Sequence, residues 1–276
     1  MLFLKNVMGT PQFRRLVWVL VAVLCAAGAL LAQRVYRGVP FPPEMAMIEP
    51  PPDGDKPAEF YFARLAYSDP YGPRIEGDRP WMIDSPAAER HFLQGLQRLS
   101  NIDSRSQEVY VHGSSEELFD YPWIYVVEPG HWALTNEEAD GLREYLLRGG
   151  FIIFDDFHGT YEWAMFMRGM RKIFSDRPVV DLDPADEIFH VLYDLQPGEQ
   201  IPGVQMLYTG QTHENDGTNP QWKSMYDDDG RLMMLINHNM DLGDAWEHAD
   251  WPHYPERYTA MAYRLGINYI VYSMTH

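Results

Sequence analysis

Apolar and polar positions alternate along this chain in blocks whose period switches between that of a helix and that of a strand. The clearest block runs from Thr135 to Gly159. Thr135 and Glu138 have the spacing of a capping box, and Ala139, Leu142, Tyr145 and Leu146 fall on one helical face. Gly149-Gly150 then ends the predicted helix. Phe151 to Phe154 is wholly apolar and rich in β-formers, as expected of a central parallel strand covered on both faces. Asp155, Asp156 and His158 sit at its carboxyl end, the edge where open α/β sheets bind ligands.

The same alternation recurs along the chain. Glu59 to Tyr67, Glu108 to His112, Trp123 to Val127, Val179 to Leu182, Val204 to Tyr208 and Arg231 to Ile236 read as strands. Ser85-Pro86 reads as an N-cap and first turn, followed by a helix burying Phe92, Leu93, Leu96 and Leu99. Tyr161 to Phe174 and Glu256 to about Met274 carry helical spacing. Asp183 to Asp229 is otherwise loop-rich, Asp227 to Gly230 is a turn, and Asn237 to Pro255 is a polar loop. Strands alternating with helices over short connections predict an α/β fold with a doubly wound, mostly parallel sheet.

The amino-terminal block differs. Leu16 to Ala32 is 17 residues without a charge, flanked by Arg14, Arg15, Arg34 and Arg37, which predicts an N-terminal hydrophobic helix. A cleaved export signal and a retained inner-membrane anchor both fit residues 1–37, and either places the body outward, in the periplasm or cell envelope. Residues 38–57 hold seven prolines and read as a stiff linker, leaving 58–276 as the α/β domain.

Charge and cysteine content narrow the chemistry. Beyond residue 37 stand 17 Lys and Arg against 40 Asp and Glu, a formal charge of −23, which would repel nucleic acid and anionic lipid. Membrane contact through residues 16–32 and envelope protein partners remain open. The single cysteine, Cys25, lies inside the apolar segment, so the body has no thiol nucleophile and no thiolate zinc ligand. His112-Gly113-Ser114-Ser115-Glu116 lacks the second glycine of a serine nucleophile elbow.

The segments FYFARLAY, LFDYPWIYVVEPG, LTNEEADGLREYLLRGGFIIFDDFHG, DGRLMMLINHNMDLGDAWE and YRLGINYIVYSMTH together resemble the bacterial domain-of-unknown-function family 4159, over roughly residues 59 to 276. The resemblance implies a flavodoxin-like, class I glutamine-amidotransferase-like fold behind an export signal or anchor, and no established activity. The glycine pair, strand and polar end are also similar to trehalose-utilisation-type proteins. Amidotransferases carry a cysteine nucleophile after a strand, and here none stands outside residues 16–32.

Asp155, Asp156 and His158 are candidate catalytic groups, because carboxylates beside an imidazole can move protons, orient water or hold a divalent cation. They could instead cap the helix that follows. His238, Asp241 and Asp244 follow another strong strand and would converge on the first cluster if the two strands are neighbours. His190 and His213 are candidate ligand contacts in loops. No zinc or calcium motif is complete: His213-Glu214-Asn215-Asp216 lacks the second histidine of H-E-x-x-H, and Asp186 stands where a calcium loop after Asp181 needs glycine. Trp222, Trp246 and Trp251 could stack on sugars or pack a core. The leading reading is an envelope-located amidotransferase-like domain without the cysteine nucleophile, acting as a binding or scaffold module in a membrane-associated assembly; the alternative is a hydrolase of a carbohydrate or other small polar substrate working through the Asp/His cluster, with or without a divalent cation.

Overall fold

A computed structural model describes residues 56–70 and 79–276. The export or anchor segment at 1–37, and the linker up to residue 55, lie outside the described residues. Strand β1 spans Ala63–Ala66, β2 Val109–His112, β3 Trp123–Val127, β4 Phe151–Asp155, β5 Val180–Asp181, β6 Gln221–Tyr226 and β7 Leu232–His238. They form one seven-stranded sheet in the order β2-β1-β3-β4-β7-β6-β5. The pairs from β2 through β7 are parallel, and the β7-β6 and β6-β5 pairs are antiparallel.

The helices are α1 (Ala87–Leu99), α2 (Asn136–Leu147), α3 (Gly159–Ile173), α4 (Met206–Thr209), α5 (Leu242–Glu247) and α6 (Glu256–Thr275). α1, α5 and α6 pack against one another, while α2 packs against α3. The first group covers an aromatic layer in which Phe62 meets Phe92, Trp123, Tyr125 and Trp246 edge-on. The second covers Ile124, Ile152, Phe154 and Phe166. The period-2 alternation of β1, β3 and β4 sends successive side chains to these two layers, so both faces are apolar and the strands read as continuous hydrophobic runs. Among the described residues, no helix is long and apolar enough to cross a membrane.

The unit from Thr135 forms as its spacing requires. The Thr135 side chain accepts from the Glu138 amide at 3.1 Å, and Glu138 Oε2 accepts from the Thr135 amide at 2.7 Å. Glu138 Oε1 also accepts from the Ser68 amide at 2.8 Å, tying the helix start to the chain leaving β1. At the far end Gly149, at φ 108°, is the left-handed residue. Its amide and that of Gly150 reach back to the carbonyls of Leu146 (3.3 Å) and Tyr145 (3.0 Å), the two bonds of a Schellman motif.

Several expectations are corrected. Val204 to Tyr208 is not a strand: the chain turns helical at Met206–Thr209, and Gly210 in the left-handed conformation closes it. The loop-rich stretch contains β6, whose alternation is masked because Gln221 and Lys223 interleave with Trp222 and Ser224. With it the sheet gains an antiparallel edge, made through the turn in which Asp227 accepts from the amides of Asp229 and Arg231 at 3.0 and 2.8 Å. The polar loop after β7 contains α5. Ser85 does not cap α1; its hydroxyl lies 2.6 Å from that of Tyr110. Leu99 is 55% exposed at the end of α1, one position past the buried stripe.

Candidate functional site

β4 and β7 are neighbours, with Ile152, Ile153 and Phe154 opposite Met234, Leu235 and Ile236. The polar segments that follow the two strands therefore emerge side by side at the carboxyl edge. They are joined by backbone bonds: the Asp156 amide donates to Met240 O at 3.1 Å, and the Asn239 amide to Phe157 O at 3.0 Å. Asn239 Oδ1 accepts from the Gly159 amide at 2.8 Å, fixing the start of α3.

Asp155 is buried and faces the α5 side. Its Oδ2 accepts from the Tyr125 hydroxyl at 2.8 Å and from the amides of Leu242 and Gly243 at 2.8 and 3.1 Å. Asp155 thus clamps the start of α5 to the sheet. Asp241 caps the same helix, its Oδ1 accepting from the Asp244 amide at 2.7 Å. Asp244 Oδ2 accepts from the Val204 amide at 2.6 Å, and its Oδ1 lies 3.3 Å from His248 Nε2.

Asp156 and His158 form the second half of the site. His158 Nε2 lies 3.1 Å from Asp156 Oδ1 and 3.9 Å from Glu214 Oε1. The side chains of His158 and Asp156 are 5% and 10% exposed, whereas that of Glu214 is 37% exposed and stands at the mouth. Asn215, beside Glu214, donates to His158 O at 3.3 Å and to Glu162 Oε1 at 3.0 Å, which locks its loop over the start of α3. Tyr67, at the end of β1, donates to the carbonyls of Val127 and Glu128 at 3.0 and 2.7 Å. It also borders a cleft of about 440 Å3 lined by Trp81, Tyr110 and His112.

The backbone is unusual at this edge. Among the described residues, the non-glycine residues at positive φ are Asp84, Glu128, Asp156, Asn215 and Asn239. Asp84, Glu128 and Asp156 carry carboxyls of the site; Asn215 and Asn239 hold its loops. A side chain there costs of order 1–3 kcal/mol of local strain, less for Asn and Asp, and such residues concentrate at functional sites.

Crowded acids shape the electrostatics. Burial raises Asp84 and Asp156 well above the usual carboxylate range, with Asp244 and Glu247 adding to the first and Glu128 and Asp84 to the second. Asp241 is raised likewise, by burial and then by Asp156 and Asp244. Burial pushes Asp155 up to about 7 despite its three donors. Glu214 also rises to about 7, through burial and the charges of Asp244 and Glu128. In Asp244 burial acts upward, but the bond and charge of His248 hold the carboxyl below its ordinary value. His158 falls to about 4, by burial and then by His238, so its imidazole is neutral at pH 7. Among the described residues, three groups of potential ligand atoms lie mutually within 4.8 Å: Asp156–His158–Glu214, Asp84–Asp241–Asp244 and Asp244–Glu247–His248.

Asp155, Asp156, His158, Asp241 and Asp244 therefore share one edge of the sheet. His238 does not join the carboxylates. Its ring packs between Phe157 and Trp163, with centroids at 4.9 and 4.8 Å, and its nitrogens lie 3.2 Å from Gln221 Oε1 and from Gly159 O. His190 bonds locally, to Asp194 at 2.6 Å and Pro184 O at 3.0 Å. His213 is half-buried next to Glu214 in the chain. Trp222, Trp246 and Trp251 are buried. The sequence reading omits Asp84, Glu128 and Glu214 from the site. Glu128 directly follows β3, so the carboxyl-edge rule applied to every strand would have found it. No local signal marks Glu214, which a loop delivers from far along the chain.

The family model for the domain of unknown function DUF4159 matches residues 61–274, and the chain belongs to that family. Comparison with curated proteins gives no match.

Proposed function

We propose that this family member is an envelope-facing hydrolase that acts on a carbohydrate or other small polar substrate through Asp156, His158 and Glu214. The observation that carries the reading is the Asp156–His158–Glu214 group, whose ligand atoms lie within 4.8 Å of one another with Glu214 the most exposed of the three. The two carboxyls have different environments. Glu214, at about 7, is half ionised at neutral pH and accepts a proton from water, while Asp156, raised well above its usual range, keeps one to give. The water oxygen adds to the electrophilic carbon, the bond to the leaving oxygen breaks, and that oxygen takes the Asp156 proton. Neutral His158 holds the Asp156 carboxyl at 3.1 Å and stands 3.9 Å from that of Glu214. No thiol takes part, consistent with Cys25 being the only cysteine.

The strand order β2-β1-β3-β4 followed by β7 matches the flavodoxin-like order, which supports the amidotransferase-like relation. On this reading residues 16–32 hold or export the domain. The scaffold reading keeps one supporting observation, the absence of a thiol nucleophile from a fold of this kind.

A panel of chromogenic esters and glycosides, assayed with the full chain in detergent, tests the proposal. Turnover should fall roughly 10²–10⁴-fold in Glu214→Gln with an unchanged melting temperature. The wild-type pH profile should bend near 7. Absence of turnover on every class, together with recovery of the protein in a stoichiometric membrane complex, would favour the scaffold.

A further inference from the structure

Next to the Asp156–His158–Glu214 group lies a second cluster with a different composition. Asp84, from the segment preceding α1, meets Asp241 and Asp244 of the β7–α5 connection, one oxygen of each lying within 4.8 Å of the others. Acids often cluster without purpose, but here further polar atoms are left unused. Among the described residues no N–H or O–H donor reaches the buried Asp84 Oδ2, whose carboxyl meets that of Glu247, and neither Oε1 nor Nε2 of Gln205 has a partner. Asp155, 0% exposed, leaves Oδ1 unpartnered while its other oxygen holds Tyr125 and α5. A buried amide and carboxylates without partners are costly to a fold unless something binds them.

Two glycines show where these atoms point. A Cβ on Gly203 would stand 2.6 Å from both Asp241 Oδ2 and Gln205 Oε1 and 2.9 Å from Asp244 Oδ2. One on Gly243 would stand 2.2 Å from Asp84 Oδ2 and 3.1 Å from the Tyr125 hydroxyl. The backbone is therefore stripped of side chain at both places where the oxygens gather. Compensating cations are few: His248 on Asp244, and Arg64, which is committed to Glu89.

We propose that Asp84, Asp241, Asp244 and Gln205 form a binding site for a hard divalent cation, Ca²⁺ or Mg²⁺, at the junction of the Asp84 segment with the β7–α5 connection. Three carboxylates and an amide carbonyl form an all-oxygen donor set, which suits these ions and not the thiolate- or imidazole-seeking metals. The cation joins three segments that are distant in sequence and takes the place of the protons that the crowded carboxyls otherwise hold. The site is independent of the hydrolytic reading, and its test reads binding without turnover.

The experiment uses the full chain in detergent, stripped with EDTA and titrated with CaCl₂ or MgCl₂ by calorimetry and thermal unfolding at pH 8. In the wild type the cation should raise the melting temperature and release protons as the carboxyls ionise. Asp84→Asn, close in shape to the protonated carboxyl, should melt near the wild type without cation, yet bind the cation at least about tenfold more weakly. Gln205→Ala leaves every carboxylate in place and should also weaken binding. A wild type that neither binds nor gains stability with millimolar cation overturns the site. So do Asp84→Asn and Gln205→Ala proteins that bind as tightly as wild type.

Discussion

The Tyr125 hydroxyl donates to Asp155 Oδ2 at 2.8 Å across β3 and β4, and the same oxygen accepts the first two amides of α5. One carboxylate oxygen thus couples two central strands to the helix that follows the site. Asp155→Ala would leave three buried donors without a partner and should destabilise the domain by at least about 3 kcal/mol. Asp155→Asn keeps an acceptor oxygen and should cost under about 1.5 kcal/mol, with Tyr125→Phe near 1 kcal/mol. Urea unfolding of the three variants checks the order; equal stability of the Ala and Asn proteins would remove Asp155 as a strut.

Arg64 and Glu89 pair with no exposed side-chain surface, and Arg64 also donates to Trp81 O and Ile83 O at 3.0 and 2.7 Å. β1 and α1 hold between them the segment that carries Asp84. Arg64→Met should cost about 3–5 kcal/mol by leaving Glu89 unpaired in the core. Adding Glu89→Leu should recover most of the loss, because a buried ion pair replaced by apolar groups is close to neutral. A double variant no more stable than Arg64→Met would show that the carbonyl contacts of Arg64, rather than its charge partner, carry the effect.

Stability should fall as pH rises through neutrality in the absence of divalent cations. Asp155 and Glu214 sit at about 7 when folded against ordinary values of 3.8 and 4.5, so the folded state holds extra protons from about pH 4 upward and stability falls across that window, the last of it as pH passes about 7. His158 and His238 act oppositely, at about 4 when folded against 6.5, and add stability only as pH climbs from about 4 to 6.5. His158 and His238 reach neutrality in both states only at about pH 7.5, but His131 and His248 are raised by their carboxylate partners, and His190 by Pro184 O and Asp194, and these add to the fall at the two carboxyls. Calorimetric melting of EDTA-treated protein between about pH 6.5 and pH 8 should therefore show a declining melting temperature, with a shallower decline in Asp155→Asn. A rising melting temperature there would contradict the burial of these carboxyls.

Gly149→Val should lower stability by about 1–2 kcal/mol through backbone strain, since an L side chain at φ 108° is disfavoured whatever the space. No heavy atom lies within 4 Å of the added Cβ, so steric overlap contributes nothing. Gly149→Asn should be milder, because Asn tolerates positive φ better. Chemical denaturation that finds the Val and Asn proteins equal would point away from a conformational cost.

Local sequence determined the elements whose signals are complete within a few residues. The capping box at Thr135–Glu138, the Schellman turn at Gly149 and the apolar β4 strand are legible because capping, turn geometry and two-sided burial each act over one or two turns of chain. Asp155, Asp156 and His158 could be picked out for the same reason, standing at the end of a readable strand. What tertiary structure decided is which edge groups meet. The parallel pairing of β4 with β7 brings Asp241 and Asp244 to Asp156, and it turns His238 away between Phe157 and Trp163, a choice set by strand register that no local pattern encodes. Asp84 and Glu214 arrive from segments far apart in the chain, and Gln205 directly precedes a short helix in a stretch that the sequence reads as strand. Their roles arise only when the packed sheet and helices close around the same few ångströms and leave their oxygens facing one another.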